Sequence, residues 1–173
     1  MLEEASARMK TVLRPARVAR VNGWTVGVFG VLSVLLGLVS GGGGVVVGLA
    51  LVAVAWNEMR GIKRLQALDP EGARILAWNQ LILGGVVAVY CAAAIARARV
   101  SPDPSMKELE ELGGIPAGLI AELTTVLYGA VAAIVVIVQA LFARYHFKAG
   151  EKVAAFRRDT PAWVVELLRA TAP

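Results

Sequence analysis

This chain of 173 residues holds one cysteine and one histidine. A lone Cys91 can close no disulfide within the chain and cannot anchor a Cys-rich metal site. A lone His146 leaves little from which to build a metal cage or a catalytic triad. No Gly-rich phosphate loop and no nucleophile–base set stands in the polar segments. These absences argue against an enzyme, and no cofactor and no metal are expected. Charge is missing in blocks as well. From 21 to 57 there are thirty-seven residues without Asp, Glu, Lys or Arg, and a further twenty-two follow at 75–96.

What fills those blocks is apolar. The chain is 57% apolar, above the 45–50% usual in soluble domains. Its mean hydropathy is +0.65. At about 1.5 Å per residue, the 21–57 stretch is too long for one crossing of a hydrocarbon layer roughly 30 Å thick, and just long enough for two. Ser40 and four glycines, 41–44, mark the turn between them. The pattern predicts an all-α, four-helix transmembrane bundle made of two helical hairpins, with spans at 21–39, 43–59, 75–96 and 117–143. A basic amphipathic leader, 1–20, precedes this domain of 21–147. A basic tail, 148–173, follows it.

The leader places Leu2, Met9, Val12 and Leu13 on one helical face, with Arg8, Lys10, Arg14, Arg17 and Arg20 as its cationic side. Such a helix suits an anionic leaflet, where each basic residue contributes about 1 kcal/mol. In the tail, Thr160-Pro161 opens a second amphipathic helix, with Trp163, Val164, Leu167 and Leu168 on one side against Glu166 and Arg169. Between the spans, Asp69-Pro70-Glu71 is a helix start: Asp69 caps, Pro70 takes the first position and Glu71 favours the positive end of the dipole. The helices around it should therefore project beyond the membrane before they meet. Asp103-Pro104 repeats that cap ahead of a short helix carrying Met106, Leu109 and Leu112.

The net charge of +5 does not point to nucleic acid, because the basic residues flank apolar blocks instead of clustering with aromatics. Fifteen Lys and Arg fall in the leader, the 58–74 connection and the stretch 144–173, against three in the 97–116 loop. The positive-inside bias therefore assigns both termini to the cytoplasm. Trp24, Trp56 and Trp78 fall near that same boundary, as an interfacial belt would. The abundance of Ala, Gly and Arg suggests a bacterial source and an inner (plasma) membrane.

Four features are candidates for function. Gly23, Gly27, Gly30 and Gly37 lie near one face of the first span, where another helix can approach closely. That partner is either a neighbouring helix of the same chain or a second copy or membrane-protein partner. Glu122 is singled out as a carboxylate inside a predicted span, a costly placement that often marks an ion or proton path. Its depth also lets it reach headgroups, and Tyr90 is its nearest expected partner, ahead of Tyr128. Asn79, Gln80 and Gln139 share a depth near the inner face and can glue the third span to the fourth or line a polar path. His146 is expected on the surface of the inner rim. The pattern favours a scaffold or accessory subunit, with a small transporter or channel using Glu122 and the amides as the alternative.

Overall fold

A computed structural model describes residues 2–40, 43–100 and 117–171. The chain is helical through nearly all of this range, with no strand among the described residues. In order the helices are α1 (Leu2–Val12), α2 (Arg14–Ser40), α3 (Gly43–Gln66), α4 (Pro70–Val100), α5 (Ala117–Asp159) and α6 (Ala162–Thr171). Four stretches are long and apolar enough to cross a membrane: Leu2–Val39, Gly44–Gln66, Pro70–Val100 and Gly118–Asp159. The protein is a multi-pass, all-α membrane bundle. The turn at 41–42 and the expected cap and short helix at 103–112 lie outside the described residues.

The leader divides at Pro15. Proline has no N–H to donate to Thr11 and its ring crowds that carbonyl, so the first helix ends. Leu13 N still donates to Met9 O at 2.9 Å, and Ala16 N donates to Leu13 O as the next helix begins. Arg14, Arg17 and Arg20 therefore belong to the start of α2, continuous with the first span, and not to the amphipathic α1.

α3 and α4 both run past the predicted spans and meet in a three-residue corner. Leu68 N donates to Leu65 O at 2.9 Å and Asp69 N to Arg64 O at 3.0 Å, the paired bonds of a Schellman end. That ending needs a left-handed residue, and Leu68 supplies it with φ 57°. The conformation costs a non-glycine residue roughly 1–2 kcal/mol. Its side chain is fully buried, which returns about 2–3 kcal/mol. Asp69 then caps α4 as expected, its Oδ1 accepting from Glu71 N at 3.0 Å.

The chain forms two compact units. The first comprises Met1–Ile82 and Leu141–Pro173, the second Leu83–Ala140. The first unit holds the main core: Met9 of α1, Ala16 and Ala19 of α2, Ile62 and Leu65 of α3, Leu68, Ala73 and Leu76 of the corner and α4, Ala149, Val153 and Phe156 of α5, and Val164, Val165 and Leu168 of α6. The terminal helices are amphipathic, but their apolar sides enter this core instead of lying free for lipid. In α6 the buried face is Val164, Val165 and Leu168, while Trp163 and Leu167 point outward. The difference from the sequence reading is a rotation of the buried stripe, set by where the core lies.

Within this unit, α2 and α3 meet along glycines. A Cβ on Gly48 would stand 2.6 Å from Val34 N and 2.7 Å from Gly30 O, and one on Gly37 would run into Val45 N. Gly30 faces Val52 N, and Gly27 faces the Cβ of Ala55. Gly23 meets only the flexible ends of Met59 and Glu58. The face of Gly23, Gly27, Gly30 and Gly37 is thus taken up by the chain's own α3. Gly61 and Gly72 bring α3 and α4 together in the same way, each near the other's carbonyl oxygen. In the second unit Gly84 packs on the side chain of Gln139, whereas a Cβ added at Gly85 or Gly129 would meet no other element within 4 Å among the described residues.

Candidate functional site

The start of α2, the later part of α3 and the start of α4 each carry a polar residue at one level. The glycine seam places residue 23 beside residues 58 and 59, so Asn22 and Glu58 share a depth. Gly61 against Leu76 sets α4 so that Asn79 and Gln80 arrive at that depth too. The result is a polar layer with a buried centre and partly buried edges at Asn22 and Asn57. Glu58 is 0% exposed, Asn79 1% and Gln80 2%.

Glu58 is the centre of this layer. Asn22 Nδ2 donates to both of its oxygens, at 2.9 Å to Oε1 and 3.2 Å to Oε2. Gln80 Nε2 donates to Oε1 at 3.1 Å. One carboxylate therefore ties α3 to α2 and α4. Alongside it, Asn79 Nδ2 donates to Val54 O at 3.0 Å and Asn79 Oδ1 accepts from Asn57 Nδ2 at 3.2 Å. Bonds between membrane helices average about 0.6 kcal/mol and reach about 2. A charge-assisted set lies at the stronger end. Trp24, Trp56 and Trp78, each within two residues of a member of this layer, are exposed.

Asn79 and Gln80 were expected to reach across to Gln139. The structure instead commits them to α3 and its carboxylate. Gln139 belongs to the second unit, where its stem packs beside Gly84 and its buried Oε1 has no hydrogen-bond partner among the described residues. Glu58 itself was missed from the sequence. It stands at the edge of the 43–59 span and two residues before Arg60, so it reads as the first residue of a charged connection. The signal that could have found it is the recurrence of Asn22, Asn57-Glu58 and Asn79-Gln80 at the same end of three successive helices.

His146 is not on the rim surface. It is 1% exposed and its Nδ1 has no hydrogen-bond partner among the described residues. α5 continues as a helix to Asp159, which turns this position inward along with Ala143, Ala149 and Val153.

Glu122, in the second unit, is exposed. It lines a shallow cleft of about 270 Å³ with Arg99, Ala121, Thr125 and Val126. Tyr90 is not its partner there: the Tyr90 ring packs against Tyr128, with centroids 6.2 Å apart. An exposed carboxylate sharing a cleft with an arginine at the helix end fits a headgroup-level residue. Cys91 is buried as a free thiol. No group of three or more His, Cys, Asp or Glu able to hold a metal occurs among the described residues.

Compared with known protein families, with curated proteins and with solved structures, the chain matches none.

Proposed function

We propose that this protein is a non-enzymatic membrane scaffold or accessory subunit, seated in the inner (plasma) membrane with both termini in the cytoplasm. One observation carries the reading: the contrast between used and unused helix surface. In the first unit the close-approach glycines are filled by the chain's own helices. Only 6% of the most apolar stretch of α5 is buried, and in the second unit Gly85 and Gly129 are open. Without water to drive helices together, such open small-residue surface is where another helix docks most closely. A second copy of the chain or a membrane-protein partner is the expected occupant. An anionic cytoplasmic leaflet is the expected lipid partner of the exposed basic residues.

The test is cysteine cross-linking in native membranes with single cysteines at positions 85 and 129 of a Cys91→Ala background. Covalent dimers or a discrete heteromeric adduct are expected. A strictly monomeric protein in lipid nanodiscs, with no adduct in membranes, overturns the proposal.

A second reading, a small transporter or channel working through Glu122, rests on the cleft that Glu122 shares with Arg99 and Thr125. It predicts that Glu122→Gln alters a flux or a proton-coupled signal in proteoliposomes. Unchanged flux removes it.

A further inference from the structure

Glu58 is the one buried acidic side chain among the described residues. It accepts hydrogen bonds from Asn22 on α2 and Gln80 on α4, and the ion pairs among the described residues involve other carboxylates, those of Asp159 and Glu71. A carboxylate held by amide dipoles, without a paired cation, is costly in its charged form. Two ligands could neutralise it: a proton or a small cation.

The geometry distinguishes them. Both amides present nitrogen to the carboxylate. A metal cation would require both to turn and offer oxygen instead. A proton requires one to turn. The new O–H of Glu58 would then donate to a single amide oxygen, while the other amide keeps donating to the carboxyl.

We infer that Glu58, held between Asn22 and Gln80, is a reversible proton-binding site whose occupancy sets how firmly α2 and α4 are held to α3. The proton comes from water, forms one O–H bond on a Glu58 oxygen and breaks no other covalent bond in the protein. With the proton absent, the anion accepts from both neighbours. With it present, the charge-assisted bonds become ordinary neutral ones and one amide reverses.

The other charged groups on these helices face away. Arg20 of α2, Arg60 of α3, Arg74 of α4, and Arg144 and Lys148 of α5 are exposed, and Arg74 pairs with Glu71 at 3.7 Å. The exception is His146. A Cβ added at Gly150 would stand 3.3 Å from that of Ala73, so α5 packs on α4 one turn from His146, which is buried. Its titration must be separated from that of Glu58. The inference is independent of whether the protein is an accessory subunit.

The test is infrared difference spectroscopy on the full chain in nanodiscs, stepped from alkaline to acid pH with potassium as the only metal cation. The carbonyl stretch of a protonated carboxyl is expected to grow as pH falls. It is expected to vanish in Glu58→Gln, to persist in Glu71→Gln, and to persist in His146→Gln, since imidazole contributes no such band. Asn22→Ala removes a donor that favours the anion and should strengthen proton binding about tenfold. If Glu58→Gln fails to fold, judged by circular dichroism, the Asn22→Ala displacement decides. Three results overturn the inference: a titrating band that survives in folded Glu58→Gln, a midpoint unmoved by Asn22→Ala, or a midpoint displaced when sodium replaces potassium. The last would identify a cation site instead.

Discussion

Asn79 is engaged at both ends of its amide, donating to Val54 O and accepting from Asn57. Replacing it with alanine strands one side-chain donor and removes a link between α3 and α4. Asn79→Ala should lower stability by about 1–2 kcal/mol, within the range for polar contacts between membrane helices. Unfolding in a titration of dodecyl sulfate measures this, and an unchanged midpoint would show that the amide is idle. The same substitution at Gln139, whose Oε1 has no partner among the described residues, should shift the midpoint by less. At this scale the sequence singled out Asn79 and Gln80 but not the carboxylate at their centre. Hydropathy counts Glu58 with the charged connector that follows it. Only the continuation of α3 to Gln66 turns it inward. His146 was hidden in the same way, by basic neighbours that point outward while it points in.

Between elements, close backbone approach does the joining. Gly48 lies against Val34 N, so Gly48→Leu must push α2 and α3 apart, at a cost of about 1–3 kcal/mol or more. Gly85→Leu meets nothing within 4 Å and should leave monomer stability within about 0.5 kcal/mol. Thermal unfolding of the two variants in detergent gives the comparison, and equal losses would contradict it. The corner after α3 offers a sharper case. Leu68→Ala keeps the left-handed backbone but empties a fully buried site, and should cost about 2–4 kcal/mol. The four spans and the Asp69 cap were legible because long uncharged runs and Asp-Pro-Glu each have one physical reading. The break at Pro15 and the leucine in a glycine's conformation were not. Both depend on what the core demands of a position, which local pattern does not carry.

In the whole molecule, α1 and α6 contribute to one cluster, so both terminal helices belong to the same end of the first unit. The excess of basic residues is what supports the proposed cytoplasmic placement of that end. Reporters fused to either terminus should therefore be active only in the cytoplasm, and activity of either one across the membrane would reverse the orientation. Charging the shared core tests the same arrangement. Leu168→Asp should expose α1 to protease, measured by cleavage after Arg8 or Lys10, while Leu167→Asp on the outward side should not. The cluster joining Met9 to Leu168 also orders events in time. While the ribosome is still making the later helices, α1 has no complete surface to rest on, and the early part of the chain must wait for α6. Docking of α1 thus waits on α6, and until then a nascent intermediate exposes greasy residues that insertion factors would have to shield.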